Sequence, residues 1–203
     1  MINTAVLVSG GGTNLQAILD ARDAGIIKSA DVRLVISNKP GVRALSRAEA
    51  AGVDTLVIPK KELGQEAFEK ELHKALKNNG IELIVLAGFT VILSKDFTDR
   101  WPKRIINVHP SLIPSFCGEG FWGLKVHEEA LKKGVKVTGA TVHFVNEIPD
   151  GGEIILQKAV TVPEGITPEA LQKRVMRLAE WKILPKALEI TAQKLEKQKN
   201  QED

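Results

Sequence analysis

Thr4-Ala5-Val6-Leu7-Val8-Ser9-Gly10-Gly11-Gly12-Thr13-Asn14-Leu15-Gln16-Ala17-Ile18-Leu19 reads as an apolar strand, a glycine loop and the start of a helix in direct succession. A continuous apolar run from Thr4 to Val8 is the mark of a strand buried on both faces, and Asn14 to Arg22 has helical spacing. The same unit recurs along the chain. Val32 to Ser37 is a second strand, followed by a helix from about Val42 to Ala51. Val53 to Ile58 is a third strand, Gln65 to Lys77 a helix, Ile81 to Ala87 a fourth strand and Arg104 to Val108 a fifth. This β-α-β-α rhythm predicts the α/β class: a Rossmann-like, mostly parallel sheet flanked by helices. Val126 to Lys133 is a short helix closed by Gly134. The pattern then changes. Val137 to Val145 and Ile154 to Val162 are β-rich runs joined by Asn146-Glu147-Ile148-Pro149-Asp150-Gly151-Gly152, which predicts an antiparallel hairpin on the sheet edge. Thr167 or Pro168 begins a last helix that should run to about Leu195. Residues 1–195 are expected to form a single domain, and the polar tail 196–203 is expected to fray.

The chain has 203 residues, enough for a full core, with 43% hydrophobic and 26% charged residues. Formal net charge is +3, and Lys and Arg are scattered among Asp and Glu, so no nucleic-acid surface is indicated. Cys117 is the one cysteine, which rules out an internal disulfide and fits a reducing cytoplasm. No apolar run reaches the length of a membrane span. Met1-Ile2-Asn3-Thr4 lacks a basic n-region, and the apolar stretch after it is too short for a signal peptide. The expected partners are small molecules rather than nucleic acid or membrane, with a homodimer left open.

Two motifs carry chemistry. In Ile105-Ile106-Asn107-Val108-His109-Pro110-Ser111-Leu112-Ile113-Pro114, side chains two apart share a strand face, so Asn107 and His109 point the same way. Pro110 cannot donate to a sheet ladder, which places His109 at the strand's rim. Open α/β sheets bind ligands at such carboxyl ends. An amide donor beside an imidazole suits chemistry at a carbonyl; a hydrogen-bonded strand-end histidine is the plainer alternative. The second motif is Ser9-Gly10-Gly11-Gly12-Thr13-Asn14. Glycines let backbone approach a ligand, and a helix start offers free N–H groups, with Thr13 or Asn14 capping the helix or donating to a phosphate. No Gly-Lys-Ser/Thr follows, and Leu15 stands where G-x-G-x-x-G requires glycine, so a phosphate monoester suits the loop better than a dinucleotide. A tight β-α turn is the simpler reading.

The remaining polar residues read more plainly. Asp150-Gly151 is a common turn pair. His143 within its strand reads as buried and hydrogen-bonded, and His127 and His73 as structural or solvated. Cys117 beside His109 allows a Cys-His nucleophile, although nothing marks a lowered thiol pKa. Phe121 and Trp122 either cover a ligand or pack under their loop. Four dispersed histidines and one cysteine give no metal-ligand spacing.

Taken together, Val8 to Gln16, Leu86-Ala87-Gly88-Phe89, Ile106 to Pro114, Thr138 to Val145, and Asp150-Gly151-Gly152 with Ile154-Ile155 and Gln157 resemble the folate-dependent formyltransferase family, in its phosphoribosylglycinamide formyltransferase branch. The resemblance extends from Ile2 to about Ala192. It implies transfer of a formyl group from 10-formyltetrahydrofolate, a co-substrate, to the amine of glycinamide ribonucleotide in purine biosynthesis, without a metal. The implied catalytic residues are Asn107, His109 and Asp150. Gly12, Thr13 and Asn14 would hold the ribonucleotide phosphate, and Glu180 the same substrate's ribose or amine end. Thr90, Val91, Ile92 and Leu93, with Asn146, Glu147, Ile148, Pro149 and Asp150, would cradle the folate ring, largely through backbone groups, and Asn107 would also bind the folate. The family commonly has Met-Arg where Thr90-Val91 stand, Arg at Gln65 and His at Trp181; the loop Cys117 to Gly123 also departs from the commoner form.

On this resemblance the substrate amine is the nucleophile. Asn107 and a protonated His109 would donate to the tetrahedral oxyanion. Asp150 would raise the His109 pKa and order a proton-relaying water. The alternatives are a formyltransferase for another amine, such as an amino sugar or aminoacyl-tRNA, a formyltetrahydrofolate hydrolase, and a non-catalytic nucleotide-binding module. Branches other than the purine one usually carry a further domain.

Overall fold

The structure, a computed structural model, describes residues 1–202. Seven strands form one sheet: β1 (Ile2–Val8), β2 (Ala30–Ser37), β3 (Asp54–Val57), β4 (Leu83–Leu86), β5 (Ile105–His109), β6 (Val137–Phe144) and β7 (Ile154–Thr161). Their order is β3-β2-β1-β4-β5-β6-β7. The first five pair in parallel; β5 to β6 and β6 to β7 are antiparallel. This is the architecture read from the sequence. The order reverses between β1 and β4, so the loops after these two strands flank the crevice where such sheets take ligands.

The interleaved helices are α1 (Thr13–Asp23), α2 (Arg43–Ala50), α3 (Lys60–Asn78), α4 (Lys95–Asp99) and α5 (Leu124–Lys133). Strand alternation divides the core in two. Val6, Val8, Val35, Val85, Ile106 and Val108 face one side, with Leu15, Ile18 and Leu19 of α1. Ala5, Leu7, Leu34, Ile36, Ile84 and Ile105 face the other, with Phe68, Leu72 and Leu76 of α3 and Phe97 of α4. Each apolar side chain removed from water contributes roughly 1.5–3 kcal/mol, so both layers are needed to hold the sheet. Asn107 and His109 lie on the Ile105 face, by the same period of two.

Several boundaries differ from the sequence reading. Helix α3 begins at Lys60 and kinks at Gly64, so its regular part starts at Gln65 as expected. The five-residue α4 is too short to carry a helical period. The last helix is interrupted: α6 (Pro168–Val175), capped by the Thr167 hydroxyl, gives way to a π turn over Met176–Glu180, and α7 (Trp181–Glu202) follows. Pro185 lies within α7 and cannot donate to the Trp181 carbonyl; Trp181 stays in the right-handed helical region, at φ −65° and ψ −11°. The helix also continues past Leu195 through Glu202. Glu196 pairs with the Met1 ammonium at 2.8 Å and Lys199 with Glu82 at 2.8 Å, tying the polar segment to the body. Among the described residues no helix is long and apolar enough to cross a membrane.

Candidate active site

Asn107 and His109 end β5, and His143 of β6 pairs with Asn107 in register. The loop joining β6 to β7 folds back over them. Gly151 accepts no side chain because an added Cβ would meet Ile148 at 2.7 Å, and at Gly152 it would meet the Phe144 carbonyl oxygen. This tight return carries Asp150, held at φ 58°, to the strand ends. Asp150 is thus both the turn residue its Asp-Gly pair suggested and a member of the cluster.

Asp150 Oδ2 lies 3.2 Å from His109 Nδ1 and accepts the Gly118 N–H at 2.9 Å. Its Oδ1 lies 3.4 Å from His143 Nε2. Asn107 Nδ2 approaches the same Nε2 at 3.3 Å, while His143 Nδ1 donates to the Phe144 carbonyl at 2.7 Å. The other ring nitrogen of His109, Nε2, donates to the Phe116 carbonyl at 2.8 Å. His109 and His143 are 4% and 2% exposed, so these contacts form with little water between them. The structure therefore brings Asn107, His109 and Asp150 together and adds His143 as the bridge between the amide and the carboxylate. His143 is buried and hydrogen-bonded, as read from the sequence, but its partners are the site residues themselves.

Burial works against the Asp150 charge, yet the His143 hydrogen bond, the His109 ring and the Gly118 N–H outweigh it and hold the carboxyl below the usual carboxylate range. For His109 the balance is reversed. Burial lowers its pKa, and the Asp150 charge and the Phe116 carbonyl raise it only partway back. The expectation that Asp150 raises His109 holds for the direction of that one contact; the net shift is downward because the ring is desolvated. Both His109 nitrogens face acceptors, which favours the imidazolium, but desolvation outweighs them in the net shift.

His127, on α5, is fully buried with no hydrogen-bond partner for either ring nitrogen. Burial, and then the nearby His109 charge, push its pKa down to about 4, so the solvated alternative for His127 falls and the neutral, packed form is what the helix holds. His73 packs edge-on against Trp101 and is lowered by burial and by Arg100 and Lys77. Burial, and then Asp150, push the Cys117 thiol up, which disfavours the thiolate a nucleophile needs.

The glycine loop lies at the end of β1, on the other side of the strand-order reversal. Gly12, not Thr13 or Asn14, occupies the cap position of α1; it sits at φ 72° and no side chain caps the helix. The correction has a steric cause. An added Cβ on Gly12 would lie 2.7 Å from Ala44 Cβ, so the backbone packs directly on α2 in a left-handed conformation suited to glycine. Asn14 is turned inward instead, and its Nδ2 donates to Glu180 Oε2 at 2.8 Å. Its Oδ1 is buried without a partner. Glu180 is the last residue of the π turn. Desolvation pushes the Glu180 carboxyl up to about 7, partly offset by the Asn14 hydrogen bond.

The segment Thr90–Leu93 flanks both features. The Thr90 N–H donates to Ser9 Oγ at 2.9 Å, and Gln65 Nε2 to the Ile92 carbonyl at 3.0 Å. Val91 packs partly against the lower core, Leu93 lies within it, and Ile92 is exposed. Across the site, the Ile148 N–H donates to Asn146 Oδ1 at 3.1 Å, and Glu147, Ile148 and Pro149 are exposed. Among the described residues no group of three or more His, Cys, Asp or Glu could hold a metal ion. A cleft of about 640 Å³ lies at the opposite, amino ends of the strands, lined by residues such as Asn3, Asp31, Arg33 and Asp54. It lies at the other end of the sheet from the cluster of Asn107, His109 and Asp150 at the carboxyl end of β5.

The profile of the Formyl transferase family matches residues 2–188. The chain is 46% identical over 190 residues to the human trifunctional purine biosynthetic protein adenosine-3, covering 93% of this chain but 18% of that protein. It thus spans less than a fifth of that relative's length. It is 40% identical over 175 residues to phosphoribosylglycinamide formyltransferase of Escherichia coli (strain K12), covering 86% of this chain and 80% of that one. Among solved structures, glycinamide ribonucleotide transformylase 1 from Symbiobacterium toebii superposes with a TM-score of 0.88 at 42% identity, covering 95% of this chain and 88% of that chain. The chain belongs to the formyl transferase family, among its phosphoribosylglycinamide formyltransferases.

Proposed function

We propose that the protein transfers the formyl group of 10-formyltetrahydrofolate to the amine of glycinamide ribonucleotide. The observation that carries this reading is the convergence of Asn107, His109 and Asp150 at the carboxyl end of β5, across the sheet's switch point from the Gly10–Asn14 loop. One substrate places its phosphate at the loop and its amine near Glu180. The other places its pterin between Thr90–Leu93 and Asn146–Asp150, with its formyl carbon at the cluster.

The amine nitrogen attacks the formyl carbon directly, and the carbonyl oxygen becomes an oxyanion. Asn107 donates one N–H to it. His109 donates the second through Nε2, which requires the Phe116 carbonyl to give up its 2.8 Å bond as the loop Ser115–Gly118 withdraws. Preorganised donors of this kind act on charge that forms only in the transition state. Asp150 keeps its negative charge and holds His109 Nδ1–H, favouring the imidazolium while the oxyanion exists. The tetrahedral species then collapses: the bond from carbon to folate N10 breaks, the attacking amine loses a proton, and N10 gains one through water ordered by Asp150.

The test is a steady-state assay of donor deformylation with a panel of acceptors. Turnover that requires glycinamide ribonucleotide and ignores amino-sugar nucleotides and aminoacyl-tRNA supports the reading. Acceptor-independent release of formate would make the protein a hydrolase, and binding without turnover would make it a nucleotide-binding module.

A further inference from the structure

Arg47, on α2, reaches the glycine loop from behind. Its Nε donates to the Gly11 carbonyl at 2.9 Å, and Nη1 donates to Gln16 Oε1 at 2.8 Å, fixing the guanidinium plane against α1. One turn earlier on α2, the Ala44 N–H donates to the Gly10 carbonyl at 3.1 Å. Two consecutive carbonyls are thus drawn toward α2. In a planar trans peptide the C=O of one residue and the N–H of the next point in opposite directions. Fixing Gly10 O and Gly11 O toward α2 therefore turns the Gly11 and Gly12 N–H groups away from it. Neither N–H donates to a backbone carbonyl among the described residues. On the same loop, Asn14 is 8% exposed and its Oδ1 has no partner, a second polar group left unmatched at this place.

We infer that Arg47 is the positioning residue of the phosphate cradle. It does not touch the ligand. It fixes the orientation of the Gly11–Gly12 peptide and polarises it, so that a cation on the carbonyl side strengthens the N–H on the other side. Ala44 does the same for the Gly10–Gly11 peptide without the charge. Helix α2, which carries none of the reacting groups, thereby sets the affinity for the phosphorylated substrate. The inference rests on the reading of the Gly10–Asn14 loop as the phosphate site.

The experiment measures kcat/KM for glycinamide ribonucleotide and for the riboside that lacks the phosphate, in the wild-type protein, in Arg47→Met and in Arg47→Lys. The readout is the ratio of the two values. A hydrogen bond to a charged group is worth roughly a tenfold change or more, so Arg47→Met should lower the ratio about tenfold or further. Arg47→Lys keeps the charge but not the planar fork, and should restore part of the ratio. The riboside value and the folate KM should hardly move in either variant. A fall shared equally by both substrates would mean a general packing role and would overturn the inference. So would an unchanged ratio in both variants, although the phosphate reading of the loop would then stand. If the wild-type protein itself does not prefer the phosphorylated substrate, the loop reading fails first and the role of Arg47 fails with it.

Discussion

Glu180 is buried against α1 with one hydrogen bond, from Asn14, and its carboxyl is pushed up to about 7 from an ordinary 4.5. Between those two values the folded protein holds a proton that the unfolded chain has released. Stability therefore falls as pH rises through this window, and the loss is complete above about pH 7. The difference of about 2.5 pKa units corresponds to about 3 kcal/mol, a substantial part of the stability of an ordinary domain. Glu180→Gln keeps the shape and an acceptor for Asn14 Nδ2 but removes the titration. Urea denaturation of both proteins at pH 4.5 and pH 8 isolates the effect, because every other titrating group cancels in the difference. The variant should match the wild type within a small constant offset at pH 4.5 and exceed it by about 3 kcal/mol at pH 8, with an unchanged m-value. An equal offset at both pH values, or a variant less stable at pH 8, would mean that Glu180 is not a strained carboxylate. On the proposed function the same variant binds the ribonucleotide more weakly, which is the usual trade of stability against a site.

Three further outcomes follow from the site. His109→Ala and Asp150→Asn should each reduce kcat by roughly 10²–10³, and the double variant should be far less impaired than the product of the two, since groups acting as a unit are non-additive; multiplicative losses in the measured double-variant cycle would separate Asp150 from His109. Gly12→Val forces a β-branched residue to φ 72° with its Cβ on Ala44, so KM for the ribonucleotide should rise far more than KM for the folate, and equal KM values in a folded variant would return the loop to a simple turn. Cys117→Ala should keep most of its turnover, because its thiol pKa is raised and the amine attacks directly; complete loss with a trapped formyl-thioester would contradict direct transfer.

Why part of this molecule is legible in its sequence and part is not has a physical basis. Strands β1, β2 and β4 are buried over Ala5–Val8, Leu34–Ile36 and Leu83–Leu86, and each of these stretches is an unbroken apolar run. Asn107 and His109 could be paired because the strand period is local. The role of His143 could not, because it depends on the register of β6 against β5, which no local pattern encodes. The π turn at Met176–Glu180 is hidden for a related reason: its residues are ordinary helix formers, and the Glu180 contact with Asn14 joins residues 166 apart in the chain. The contacts of Phe116, Gly118 and the Gly10–Gly11 carbonyls are made by backbone, which has the same chemistry at every position and so leaves no compositional trace. Arg47 gave no signal alone. It acquires a role only because α2 packs against the glycine loop.

The central claim is that the formyl carbon passes directly from folate N10 to the amine of glycinamide ribonucleotide at the Asn107-His109-Asp150 cluster. A single-turnover reaction with donor labelled with ¹³C in the formyl group, followed by NMR, tests it most directly. The account predicts that the label leaves the folate and appears in the formamide of the ribonucleotide at the same rate, with that rate lowered by His109→Ala. Label recovered as free formate, or transfer that proceeds undiminished in His109→Ala, would contradict it.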